Sequence, residues 1–200
     1  MKTFVAFVLL SLPVWAQSNK AISLIDGMQK KYKSMGSFSA NFTYQTDGGN
    51  TMSGSITVKG TKFRLKTAGQ EIFNNGKEVA TYIKEINEVN ISAFDPADGD
   101  LNPAKIYTFD KKGYKFTLVS ESGGVATVEM TPTSKAVQVK NVTLKISVAD
   151  FTVKSWTIIN KAGKKQAFSV TKLNPKAGVD DAYFTFNKKS FPGVEVNDLR

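Results

Sequence analysis

Three carboxylates crowd one stretch of the chain, Asp95, Asp98 and Asp100 in "FDPADGD", and paired carboxylates can act as general acid and base. Their neighbours are Pro and Gly, the composition of a solvated loop rather than of a converging catalytic pair. The sequence contains neither His nor Cys. That excludes Ser-His-Asp and Cys-His nucleophiles, Cys/His zinc sites, thiol redox centres and disulfide frameworks. Enzymes using only carboxylates or Ser-Lys survive the exclusion, so a small carboxylate-dependent hydrolase stands as the enzymatic alternative. No glycine-rich phosphate loop occurs, because Gly48-Gly49 and Gly123-Gly124 read as hairpin turns. The residues imply no catalytic set, no metal and no cofactor.

The other chemistry on offer is apolar. In "SFSANFTYQ", residues 37–45, Phe38, Ala40, Phe42 and Tyr44 alternate with polar residues, which places one row of side chains on each face of a pleated strand. An aromatic face of this kind is either ordinary core or the wall of a pocket. Periodicity alone does not choose between them.

The elements that must position this face follow from the same periodicities. "SNKAISLIDGMQKKYKSMG" carries Ile22, Ile25, Met28, Tyr32 and Met35 at spacings of three and four, with Ser18 or Asn19 to cap it and Gly36 to stop it; this predicts an amphipathic helix. From residue 37 the period changes to two, and about a dozen strands are predicted, the last over 183–187. Hairpin signals at "DGGN", "NNGK", "ESGG" and "KAGK" argue for a continuous antiparallel meander. One stretch interrupts it: Asn102 as cap, Pro103 at the first helical position, and Lys111, Lys112 and Gly113 at the end predict a second helix, with Ile106, Tyr107 and Phe109 on one side. The expected fold is mainly β with helices (α+β), a strongly curved antiparallel sheet with two helices over its concave face.

The chain opens with "MKTFVAFVLLSLPVWAQ": basic Lys2, an apolar run from Phe4 to Leu12, Pro13, then small Ala16. This predicts a secretory signal peptide over 1–16, cut after Ala16, with one domain over 17–200. The apolar run is shorter than the roughly 20 residues a spanning helix needs, and no Cys follows the cut to carry a lipid anchor, so the expected product is soluble and exported. The formal charge of +10 comes from 27 Lys and Arg against 17 Asp and Glu. The lysines are spread along strands rather than clustered, as in "VTLKISV". Nucleic acid is not the expected partner of an exported chain; acidic lipid headgroups or an acidic transport partner fit better.

Taken in order, "SFSANFTYQ", "GSITVKGTKFRL", "NNGKEVATYI", "NEVNI", "NPAKIYTF", "VEMTP", "IINKAGKKQAFSV" and "YFTFNKKSFPGVEV" resemble the periplasmic outer-membrane lipoprotein carrier family, LolA, over nearly all of the chain after the signal. The resemblance implies an incomplete antiparallel barrel covered by lid helices over an apolar cavity. It implies a monomeric periplasmic carrier that takes acylated lipoproteins from an inner-membrane lipoprotein-releasing ABC transporter and delivers them toward an outer-membrane acceptor. A lipid or lipoprotein sensor of the same architecture is the alternative in the binding class. The expected cavity wall is Phe38, Phe42, Tyr44, Ile56, Val58, Phe63, Leu65, Tyr82, Val89 and Ile91, with Ile25, Met28, Tyr32, Ile106 and Phe109 from the lid helices. Within this set the resemblance puts Phe63 at the cargo entrance, and Phe168 serves as the expected core residue. Two departures stand out. Where the family has Arg-Pro after a strand Val-Lys, with the arginine helping to hold the lid, this chain has Lys59-Gly60-Thr61; where it has a tryptophan, this chain has Ala80 while keeping Tyr82. The smaller residue leaves room either in the cavity or for another side chain.

Overall fold

The computed structural model describes residues 14–95, 105–134 and 137–200. One long helix, α1 (Val14–Met35), precedes the strands. Ala21, Leu24, Ile25, Met28 and Tyr32 form its buried stripe, and Gly36, at φ +67, ends it by donating its N–H to the Lys33 carbonyl. A left-handed residue at that position is what glycine supplies without a Cβ penalty. The helix begins before the expected caps Ser18 and Asn19, and Ile22 is 39% exposed, one position off the stripe.

The strands are β1 (Ser37–Thr46), β2 (Met52–Lys59), β3 (Lys62–Lys66), β4 (Gln70–Asn74), β5 (Glu78–Ile83), β6 (Glu88–Ala93), β7 (Tyr114–Ser122), β8 (Val125–Pro132), β9 (Val139–Ser147), β10 (Val153–Asn160), β11 (Lys165–Asn174) and β12 (Glu195–Asp198). They form one curved, unclosed sheet in the order β12-β6-β5-β4-β3-β2-β1-β11-β10-β9-β8-β7. The single expected meander is thus two, β1–β6 and β7–β11, sewn together where β1 pairs with β11. That seam sets Tyr44 opposite Phe168 and Phe42 opposite Val170.

Two expected elements differ. The stretch 183–187 is no strand: Ala182–Phe184 is a 3-10 turn, and the last strand is β12, which lies parallel to β6. The alternating "YFTF" reads as strand, but Phe184 is fully buried, Phe186 packs against Phe73, and the Phe184 and Thr185 N–H groups donate to the Asp181 and Ala182 carbonyls rather than to a neighbouring strand. The expected second helix is a turn over 105–108, closed by Thr108 N–H to the Lys105 carbonyl, followed by a 3-10 turn at Lys111–Gly113. Asp110, extended at ψ 117, separates the two and accepts from the Lys112 N–H, a local capping bond that competes with helix continuation. Its expected cap, Asn102-Pro103, lies outside the described residues.

The sheet carries apolar residues on both faces, in two separate clusters. The inner face packs Phe38, Phe42, Ile56, Leu144 and Trp156 against the α1 stripe. The outer face of β4–β6 packs Phe73, Ala80 and Val89 beneath Val194, Phe186 and Phe191 of the C-terminal strap.

Candidate functional site

The inner face does not close completely. Between the C-terminal half of α1, the starts of β1 and of the β2–β3 turn, and residues 107–109 lies a cavity of about 500 Å³. Its walls are the rings of Tyr32, Phe38, Tyr107 and Phe109 with Val58, and its mouth carries Gln29, Lys33, Gly60 and Thr61. No Asp or Glu is among these lining residues, and no cluster of three potential metal ligands occurs among the described residues. Of the loop carboxylates, Asp95 is exposed and Asp98 and Asp100 lie outside the described residues.

Three rings make the wall a unit. Tyr32 stacks on Tyr107 with centroids 4.0 Å apart, and Phe38 meets each edge-on at 5.0 Å. Such pairs add about 0.5–1.5 kcal/mol each beyond area burial. The Tyr32 hydroxyl accepts the Val153 N–H at 3.1 Å, so its polar end is satisfied while its ring faces the cavity. Burial pushes Tyr32 up to about 12, and burial likewise holds Tyr107 well above the usual tyrosine range. Both rings are therefore neutral walls at any physiological pH. The 105–113 segment is tied to α1 by the Gln29 amide, which donates to the Phe109 carbonyl at 2.8 Å, and by the Lys111–Asp26 ion pair. Lys59, which precedes the position of the family arginine, turns to the outer face and pairs with Asp181 at 2.9 Å.

The expected wall residues divide into four groups. Tyr32, Phe38, Val58 and Phe109 line the cavity. Ile25, Met28, Ile56, Phe63 and Ile106 belong to the inner-face cluster but not to the cavity lining, so Phe63 does not stand at its mouth. Phe42, Tyr44 and Leu65 join Phe168 around a separate, open cleft of about 420 Å³ at the other end of β1; Phe168, the expected core residue, stacks on Trp156 and borders that cleft.

Tyr82, Val89 and Ile91 are on the outer face, in the cluster under the strap, and form no part of this wall. The reason is register. Leu65 pairs with Ile72, while Arg64 pairs with Phe73 and Phe73 with Ala80. The alternation of β5 and β6 therefore points Ala80, Tyr82, Val89 and Ile91 outward. Ala80, in place of the family's tryptophan, sits in the same outer cluster, so the space it leaves goes to the strap aromatics rather than to the cavity.

Sequence patterns did not single out Gln29, Lys33 and Thr108 of the lining, and Gly60 and Thr61 stood out only as the departure from the family's Arg-Pro. Gln29 is one turn before Tyr32, a spacing that places it beside the apolar stripe, and that was the available signal.

A family model described as "Outer membrane lipoprotein carrier protein LolA" matches residues 33–187. No curated protein matches the sequence. Among solved structures, the chain is similar to an uncharacterized conserved protein from Thermus thermophilus, at 13% identity and TM-score 0.61, over 90% of this chain and 99% of that one. It is also similar to a putative outer membrane lipoprotein-sorting protein domain from Vibrio parahaemolyticus, at 13% identity and TM-score 0.50, over 87% and 99% of the two chains. MucB matches at 18% identity and TM-score 0.50, over 85% of this chain and 64% of its own length. At these identities the likeness is one of fold. No helix among the described residues is long and apolar enough to cross a membrane.

Proposed function

The chain belongs to the family of outer-membrane lipoprotein carrier proteins, and from that premise we propose that it is a periplasmic carrier that shields the acyl chains of lipoproteins on their way from the inner to the outer membrane. The observation that carries this reading is the cavity under α1, about 500 Å³ and walled by neutral aromatic and aliphatic side chains with no carboxylate. Each buried methylene contributes about 0.8 kcal/mol, so an acyl chain cannot cross water unaided, and a carrier needs an apolar enclosure and no nucleophile. A methylene is close in size to a water molecule, about 30 Å³, so the cavity has room for on the order of one chain. Cargo with more chains requires α1 or the 105–113 segment to move. The donor is an inner-membrane lipoprotein-releasing transporter, the receiver an outer-membrane acceptor, and the carrier works as a monomer without cofactor.

The test is titration of the purified protein with a fluorescent fatty acid at low and high salt. Binding is expected, nearly unchanged by salt because apolar burial dominates, and weakened when Val58→Trp fills the cavity. A probe that binds only at low salt, or equally well to the filled variant, overturns the assignment. Transfer of bound lipoprotein to outer-membrane vesicles separates a carrier from a sensor, which holds cargo and does not hand it on.

A further inference from the structure

The helix that roofs the cavity is tied to the 105–113 segment and, by the Lys20–Glu121 ion pair, to β7; it is also held by the β9–β10 hairpin. That hairpin meets α1 at Phe151 and at Val153. The first has a φ of +58, in the left-handed region that a bulky aromatic residue rarely adopts. Its ring lies directly over Gly27, where a Cβ would overlap the ring carbons. Only glycine admits that approach. The second donates its N–H to the Tyr32 hydroxyl.

The turn is built to hold the strained residue. Phe151 N–H donates to the Ser147 carbonyl and Ser147 N–H to the Thr152 carbonyl, each at 2.9 Å, while the Asp150 carboxylate accepts from the Thr152 N–H at 3.1 Å and hydroxyl at 2.8 Å. Yet Phe151 is 36% exposed and outside both core clusters. Strain kept at a half-exposed aromatic points to a role other than filling the core.

We propose that the β9–β10 turn is a clasp that sets how often α1 lifts from the cavity, and that Tyr32 couples the clasp to cavity occupancy. This rests on the reading that the cavity takes acyl chains. The coupling follows from the position of one side chain. The Tyr32 ring is cavity wall, stacked on Tyr107, while its hydroxyl is the acceptor at the clasp. Cargo too large for the resting cavity parts Tyr32 from Tyr107. That displacement withdraws the oxygen from the Val153 N–H, and a buried donor left without a partner is costly. The hairpin then has less hold on α1, with the Gly27–Phe151 contact still in place. Small ligands enter without disturbing Tyr32 and leave the clasp shut.

Hydrogen exchange of the α1 amides tests the clasp without any ligand. Phe151→Gly, which removes the ring and the strain together, and Tyr32→Phe, which removes only the acceptor, are each expected to speed exchange across the C-terminal half of α1 by about tenfold, equivalent to about 1.4 kcal/mol. Release of a bound fluorescent fatty acid should accelerate by a similar factor. Val194→Ala, in the outer-face cluster, controls for general destabilisation and should leave α1 exchange in its former ratio to the β8–β9 amides. Unchanged α1 exchange in both clasp variants overturns the proposal, as does an equal effect from Val194→Ala. In the wild type, a diacyl lipopeptide should raise exchange at Val153 while the single-chain probe does not; equal protection with both overturns the coupling. If no acyl probe binds the wild type at all, the cavity assignment fails, while the exchange data still decide the clasp.

Discussion

The sheet buries apolar residues on both faces, the inner one under α1 and the outer one of β4–β6 under the C-terminal strap, yet the two are finished in different ways. The outer face is filled. Phe73 packs edge-on against Phe186 and Phe191, at 5.8 and 6.0 Å, and Tyr82 meets Phe191 at 4.6 Å. Polar ties fasten the strap above them: Lys59 and Lys62 to Asp181, the Asn87 amide to the Pro192 carbonyl, and the Arg64 guanidinium between the Phe73 and Tyr183 rings, at 4.5 and 4.7 Å. The inner face is covered but left with a void, although its cover too has polar ties: the Gln29–Phe109 and Tyr32–Val153 bonds and the Lys20–Glu121 and Lys111–Asp26 ion pairs. A face secured all along its length is suited to stability, and one roofed over empty space is suited to receiving something. Neither apolar content nor polar ties separate the two; the cavity under one cover does.

Truncation gives the largest expected contrast. Phe73 and Phe38 are 2% and 3% exposed, so burial alone predicts equal losses. Phe73→Ala opens a hole in a filled cluster and should cost about 3–5 kcal/mol, with no change in fatty-acid affinity among molecules that remain folded. Phe38→Ala enlarges a cavity that solvent or ligand can already occupy, so its stability loss should be smaller, about 1–3 kcal/mol, while affinity for the fatty-acid probe falls. Denaturant midpoints and probe titrations on both variants check this. Equal stability losses, with affinity untouched at Phe38, would make the inner face ordinary core.

Titration should unfasten the two faces from opposite ends of the pH scale. On the outer face, hydrogen bonds from Lys62 and Lys59 hold the Asp181 carboxyl down at about 2. A depressed carboxylate contributes stability above its ordinary value near 4, and loses it as pH falls from there toward 2. The strap should therefore loosen first in acid. On the inner face, burial raises Tyr32 to about 12, with the Val153 bond opposing and the Asp150 charge adding to it. A raised tyrosine contributes fully below its ordinary value near 10 and loses that contribution as pH climbs toward 12, about 2–3 kcal/mol for a shift of this size. The aromatic wall should therefore give way first in alkali. Amide signals of 182–184 against those of the α1 stripe, followed from pH 2 to 12 by NMR, would show the order, and Tyr32→Phe should blunt only the alkaline half.

Much of this contrast is legible in the sequence, and the part that is not has a specific cause. The alternation of Phe38, Ala40 and Phe42 fixes their shared face, and the spacing of Ile25, Met28 and Tyr32 fixes the helix stripe, because both depend only on local geometry. Which face of the sheet a later strand shows to α1 depends on pairing register, and a strand with apolar residues on both faces gives no local sign of it. Tyr82, Val89 and Ile91 are apolar at period two like Phe63 and Leu65, and only the pairing of Phe73 with Ala80 turns them outward. The clasp was equally hidden. Nothing in "ADFTV" marks Phe151 for a positive φ, and its partner Gly27 lies far away in sequence. The "YFTF" segment failed for a related reason, since tertiary burial of Phe184 overrode its strand-like pattern.

The smallest effect is expected at Arg64, and it tests whether the faces are energetically separate. Its Nε donates to Glu71 at 2.5 Å while its planar guanidinium lies between the Phe73 and Tyr183 rings. Lysine keeps the charge and can still approach Glu71, which also has Lys66 at 3.2 Å, so the carboxylate is not left alone. What lysine cannot reproduce is a flat cation stacked on two rings, worth about 0.5–1 kcal/mol at a partly exposed site. Arg64→Lys should thus lower stability by about that amount, against several times more for Phe73→Ala beneath it. Because Arg64 alternates with Phe63 and Leu65, its side chain is on the far side of the sheet from the cavity, and probe affinity should not move. A measurable loss of affinity in this variant would mean that strap packing is transmitted through β3 to the inner face, and the faces would then have to be treated as one coupled unit.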